Sequence, residues 1–491
     1  MRALLAGLCF LLLSTDIAQA ADAAPASDAW RVLTRTDVEA AYALLEENHP
    51  AAVPEVGDTA FTSGLAAAHA KALARAAEVT GFPGYVATMG EFAGSMGDTH
   101  IWSNSVFLPR MIQWAGLIAA KRGPDWVVAN EDSEIAGARL IGARIVGCDD
   151  QPADQLAREA LRFRGNLANP AVEIIKGGWL LLDEGNPFLR RPRACVFEQD
   201  GKRQSLALHW SAIGRDQMLS KYWVRPYGQS GFGLRQSGAG FWIGIQELTP
   251  AAQPVIDAVA ARQDEIRAAP YVVLDLRGDG GGDDQYGRAL ANKLYGPDYV
   301  ASVLGPAGGE SGACEDVFRA SSGNIEAAAT AARTLGEAGD TAAAKEAASA
   351  VNSMTVARAA GRALAGRLVC PSKIAAKSRS APSLMRGKVL VLTDALCFSS
   401  CIETVDYFRQ LGAVQVGQPT GADTHYSEVR EIVLPSGLST FSTLQAVMPD
   451  RPRAIGPYRP TIEYTGDIAD TAALEKWAAT ADAAGSKRSP S

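Results

Sequence analysis

Two serines stand between two cysteines in the stretch TDALCFSSCIETVDYF, residues 393–408, where an apolar run gives way to a helical pattern. A strand ending at Asp394 and a helix beginning near Ile402 leave Ser399 and Ser400 at a helix N-terminus. Free N–H groups and the positive end of the helix dipole favour a developing negative charge there. Serine at such a place also simply caps a helix, so a nucleophile is indicated only if a base and an oxyanion site lie nearby. A second strand-to-helix turn, DLRGDGGGDDQYG at 275–287, offers the oxyanion site: its backbone N–H groups, that of Gly281 among them, can point at a ligand. It does not fit a dinucleotide fingerprint, because Asp283 stands where the last glycine of G-x-G-x-x-G belongs. No serine lies in the G-x-S-x-G elbow of α/β-hydrolases.

Five histidines are candidates for the base. His49 precedes a proline at a helix end, His69 lies on a helix and His209 in a strand. His100, in GDTHI, sits where a helix gives way to a short strand, and His425 lies in the turn GQPTGADTH beside Asp423. A neutral imidazole, with an ordinary pKa of roughly 6.5, suits removal of a serine proton near neutral pH. No metal site is expected, since no His stands at ligand spacing from a Cys pair, and no cofactor is called for.

Three regions would position these groups. Residues 28–105 carry helical spacing, with Thr and Asp start signals and a stop at Pro50. Residues 111–212 change to short strands and turns, in two hairpins around a strand-turn-helix. From 220 to 470 the pattern is α/β: YVVLDLRG and GKVLVLTDAL are continuous apolar strands of the kind buried on both faces. An Ala-rich insertion between Cys314 and Cys370 favours helix but offers few large residues for a core.

At 491 residues, 47% hydrophobic and 21% charged, the chain has room for two or three domains. A net charge of −7 without a basic stripe argues against a nucleic-acid partner. The opening MRALLAGLCFLLLSTDIAQA has an Arg, an apolar core and a small-residue site, which predicts a signal peptide over 1–20 cleaved near Ala20/Ala21 and a periplasmic or secreted protein. Leu8 before Cys9 is too large for a lipidation site. No later run is long enough to span a membrane. Six cysteines then remain, which allow 15 pairings. The spacings suggest Cys148–Cys195, Cys314–Cys370 and Cys397–Cys401, with buried free thiols as the alternative.

The order of parts resembles the C-terminal-processing, or tail-specific, serine peptidases. The residues that carry the likeness are an N-terminal helical region, a β-rich module with GLIA at Gly116 and GARIVGCDDQPADQL, then VVLDLRGDGGG, VLVLTDALCFSSCIE and VGQPTGADT. The resemblance implies a multi-domain α/β fold, with a PDZ-like module ahead of a crotonase-like catalytic core, and a peptide or protein substrate. Counting five residues from Asp394 gives Ser399 as nucleophile, whereas counting back three from Glu403 gives Ser400. The family's usual Lys base falls on Asp423, and the first Lys after Ser399 is Lys476. The chain therefore resembles the tricorn-like branch, whose base is a His within D-x-H-T. That implies His100 as base, with His425 its rival, Gly281 and Ser400 as oxyanion donors, and Thr99 and Glu463 as candidates to orient the base. The PDZ-like module would hold a substrate's C-terminus or gate the site. Two other functions stay open: an inactive binding protein on the same fold, and a hydrolase of small esters or amides.

Overall fold

The computed structural model describes residues 27–305, 316–369, 381–449 and 451–485. Residues 1–20, read above as a signal peptide, and Cys314 and Cys370 lie outside the described residues, so the pairing expected of that cysteine pair is not described.

Three helices open the chain: α1 (Ser27–Asn48), α2 (Thr59–Ala76) and α3 (Phe82–Gly94). Asp58 caps α2 by accepting the Phe61 N–H, and Pro83 sits in the first turn of α3, where a missing N–H costs nothing. After α3 the chain turns through Asp98–His100 into a short strand, β1 (Ser103–Ser105). The β-rich module follows. Its edge strand β2 (Leu117–Arg122) pairs in a hairpin with Asp125–Glu131, and the helix Ala153–Leu161 packs on the strand Arg144–Cys148. A disulfide joins Cys148 to Cys195 on neighbouring strands.

The catalytic-core region holds a sheet of β3 (Gly240–Gly244), β4 (Tyr271–Asp275), β5 (Lys388–Thr393), β6 (Val414–Gly417) and β9 (Ile462–Glu463), parallel in that order, with Gly233–Ser237 antiparallel outside β3. β3 and β4 are buried along their whole length, as are all but the first residue of β5, which is why they read as unbroken apolar runs. The helix α4 (Ser400–Gln410) joins β5 to β6. Between β6 and β9, β7 (Tyr426–Val433) and β8 (Ser439–Val447) form a hairpin of a second, antiparallel sheet that also takes in β1. The stretch AAQPVIDAVAARQDEIRAA, 251–269, whose apolar spacing is that of one amphipathic helix, forms two, Gln253–Ala261 and Gln263–Ala268, with the break at Arg262. The Ala-rich insertion forms a pair of helices, Ser322–Glu337 and Thr341–Ala359, packed on each other.

The N-terminal helices do not form a core of their own. Val38, Leu45, Phe61 and Phe92 pack in one cluster with Tyr426, Phe441 and Leu444 of the β7–β8 hairpin. The β1–β8 pairing and the Ser442 hydroxyl, which donates to the His100 carbonyl at 2.7 Å, then fix the segment that carries His100.

Candidate active site

The carboxylate that follows β5 organises both turns. Buried Asp394 accepts the N–H groups of Gly228 and Gly278 (2.8 and 3.0 Å) at one oxygen and of Leu396 (3.0 Å) at the other. It thereby ties the glycine turn after β4 to the loop after β5. Beneath it, fully buried Arg277 grips Asp275 through two nitrogens (2.9 and 2.7 Å), and Trp242 Nε1 donates to the same carboxylate at 3.0 Å. Such a paired, fully bonded ion pair keeps its burial cost in check.

Ser399 has φ 58° and ψ −137° at the point where the loop enters α4. A side chain in that region of backbone space costs roughly 1–3 kcal/mol, which the surroundings must offset. The Cys397–Cys401 disulfide brackets it, and the Gly421 N–H donates to the Cys397 carbonyl at 2.9 Å. Gly281 (φ 105°) fits closely against it: a Cβ there would lie 2.8 Å from Ser399 Cβ and 3.1 Å from Ser400 N. Ser400 begins the helix, and its hydroxyl donates to the Gly282 carbonyl at 2.9 Å. Among the described residues neither the Ser399 hydroxyl nor the Ser400 N–H has a hydrogen-bond partner. Gly281 differs from expectation, because its N–H already donates to Asp279 Oδ1 at 2.8 Å. Burial, with Glu247 and Asp394 adding to it, pushes the Asp279 carboxyl up to about 8.

The His100 ring lies against the ring of Phe398, the neighbour of Ser399, with centroids 5.0 Å apart. Its Nδ1 is 3.0 Å from Asp423 Oδ1 and 3.5 Å from Asp98 Oδ1, and all three side chains are nearly buried. Burial alone would lower the His100 pKa, but the two carboxylates outweigh it and push it up to about 10. Asp98 is itself held by the His100 N–H (2.7 Å) and the Thr424 hydroxyl, and the His100 ring, with Thr424, keeps its pKa low despite burial. No hydrogen bond joins Ser399 to His100 among the described residues, as is common where no substrate is bound. The three groups offer ligand atoms within 4.8 Å of one another and could hold a cation, although an imidazolium between two carboxylates already balances most of the charge.

The acids that face His100 are thus Asp423 and Asp98, in place of the two orienting candidates. Glu463 lies exposed on β9, paired with Gly417. The Thr99 hydroxyl turns away to the Ala422 carbonyl (3.1 Å), and buried Asn169 completes a clasp by donating to Thr99 Oγ1 (3.1 Å) and accepting the Ala422 N–H (3.1 Å). His425 is held by the Arg451 carbonyl and packs edge-on against Tyr426, and burial lowers its pKa. Asp423 stood in view in the sequence as the place of a missing Lys; the signal overlooked was that an acid there can face a His. Asn169 carried no signal.

The two described disulfides should behave differently. In the chain-entropy account, Cys148–Cys195, 47 residues apart, contributes about 4 kcal/mol, and Cys397–Cys401, four apart, about half that. Replacing Cys148 and Cys195 by Ala should lower the melting temperature most while leaving the rate per folded molecule near wild type. Replacing Cys397 and Cys401 should lower that rate about tenfold with the smaller melting shift. Calorimetry beside active-site titration checks both; equal rate losses in the two variants would refute the distinction.

Residues 243–462 match the model of Peptidase family S41. No curated protein matches the sequence. Among solved structures, mature CPAF is similar at TM-score 0.57 and 11% identity, over 93% of this chain and 98% of that one, which shows a shared fold. The photosystem II D1 C-terminal processing protease is 13% identical at TM-score 0.32, over 88% of this chain and 92% of that one. The tricorn protease is 10% identical at TM-score 0.35, over 88% of this chain and 34% of that one. The matched segment bears the glycine turn and Ser399, and by that likeness to Peptidase family S41 the chain is a serine-type peptidase.

Proposed function

We propose that the protein is an exported endopeptidase in which Ser399 attacks the scissile carbonyl, neutral His100 takes its proton, and Asp423, with Asp98, holds the ring and stabilises the imidazolium that forms. The observation that carries this is the strained Ser399 at the start of α4, whose neighbour Phe398 packs against the His100 ring, with Nδ1 of that ring 3.0 Å from Asp423 Oδ1. The Ser399 proton passes to His100 Nε2 and then to the leaving amine, and water repeats the cycle on the acyl-enzyme. The Ser400 N–H receives the oxyanion. The Gly281 N–H joins it once Asp279 releases that hydrogen.

Export is supported by the N-terminal signal pattern and by disulfides that suit an oxidising compartment. The β-rich module is proposed as a PDZ-type gate for substrate, on the support of the edge strand β2 directly after Gly116 (φ 72°).

An active-site-directed fluorophosphonate should label the purified chain, and peptides should be cut faster than simple esters. Absence of labelling would favour the inactive binding protein, and preference for esters the small-ester hydrolase.

A further inference from the structure

A cavity of about 480 Å³ opens between the N-terminal helices and the β-rich module, well apart from the glycine turn and Ser399. Phe82, Val86 and Phe107 line one side, and Leu156, Phe163 and Phe188 the other. The walls are already set. Arg75 lies over the Phe163 and Phe188 rings (5.2 and 4.4 Å), Arg162 over Phe163 (4.7 Å), and Arg164 over Trp179 (4.3 Å). Trp210 donates to the Pro192 carbonyl at 2.9 Å. Such a preformed apolar hollow at a junction of modules has the size and character of a small-molecule site.

Five arginines lie along the wall, and three are spent on partners: Arg162 on Glu91, Arg164 on Glu184 and Arg191 on Asp183. Arg190 has no ion pair among the described residues, and Arg193, 81% exposed, only approaches Asp149 at 3.9 Å. Asp149 is the acid whose charge acts on both, and the other acids of the wall are engaged elsewhere. Asp149 accepts the N–H groups of Arg193 and Ala194, Asp183 and Glu184 are taken by arginines, and Glu159 is held by Gln151 and Gln155.

We propose that this cavity binds an amphipathic carboxylate of the fatty-acid type, its alkyl chain among the phenylalanines and its headgroup on Arg190 and Arg193. An alkyl chain suits it better than a peptide. The lining comes from helix faces, loops and strand ends, so a bound peptide's N–H and C=O groups would lack partners in an apolar setting. Occupancy also bears on the catalytic region. Phe82 and Val86 stand before His100 and Phe107 after it, and the opposite wall, through Arg162–Phe163 and Trp179–Leu180, flanks the segment of Asn169, which clasps Thr99 to Ala422. A ligand bridging the walls therefore braces residues 82–109 around His100.

Calorimetric titration of the full chain with dodecanoate below its micelle-forming concentration tests the site, and hydrogen–deuterium exchange tests the bracing; neither readout depends on catalysis. One-to-one saturable binding is expected, at least tenfold weaker for dodecanol and for the exposed double variant Arg190→Ala/Arg193→Ala, and lost in Ala160→Trp, which fills the hollow. Peptides covering 82–109 should exchange more slowly with ligand bound. Absence of saturable binding, equal binding of the alcohol, full affinity in the double variant, or unchanged exchange over 82–109 would overturn the proposal.

Discussion

Ser399→Ala should lose at least about 10³-fold in peptide hydrolysis and all fluorophosphonate labelling, whereas Ser400→Ala should keep both within about tenfold of wild type. The two hydroxyls are adjacent in sequence but differ in circumstance. Ser400 spends its hydroxyl on the Gly282 carbonyl and contributes a backbone N–H, which alanine retains. Ser399 sits in backbone geometry that only a surrounding lock sustains, with its hydroxyl free of partners among the described residues. Relieving that strain should make Ser399→Gly melt at or above the wild-type temperature while remaining inactive. Comparable activity in Ser399→Ala and wild type would move the nucleophile to Ser400.

The second large effect concerns Asp423. Asp423→Asn should cost on the order of 10²–10⁴ in kcat, because the amide neither stabilises the imidazolium nor fixes the required tautomer. It should also move the pH profile. A His must be neutral to act as base, and the carboxylates raise its pKa to about 10, so activity in the wild type rises with pH along a limb lying above the ordinary His value near 6.5. Asp423→Asn, and to a smaller degree Asp98→Asn, should shift that limb down. The sign for stability is opposite: a pKa raised on folding stabilises fully below pH 6.5, and the contribution fades as pH climbs through about 10. The enzyme should thus lose part of its melting temperature over the range in which it gains rate. A limb unmoved in Asp423→Asn would refute the assignment.

How much of this was legible depended on whether the cause was local. The buried strands were readable because burial on both faces demands unbroken apolar runs. The start of α4 was placed within two residues, since the serines, the dipole and the cysteine spacing are all local signals. The backbone of Ser399 was not legible, because it belongs to a turn bracketed by a disulfide and fitted closely against Gly281 of another turn. The acid that faces His100 was missed for a related reason. Asp423 reaches His100 only because Gly421 is tied to Cys397 and Thr424 to Asp98, contacts across the fold that no spacing announces. The glycine turn was legible, but that the Gly281 N–H is spent on Asp279, two residues away, was not.

The clasp of Asn169 has a consequence for how the molecule comes into being. Thr99 and Ala422 lie 323 residues apart, and Asn169 is 253 from Ala422. Contacts so distant along the chain are late and slow to form, because the entropy of closing large loops must be met before they give anything back. A chain emerging from synthesis holds His100 long before Ser399 and Asp423 exist beside it. The peptidase is therefore inert as a nascent or extended polypeptide, and its activity switches on only when folding is complete, which spares the cell that makes it.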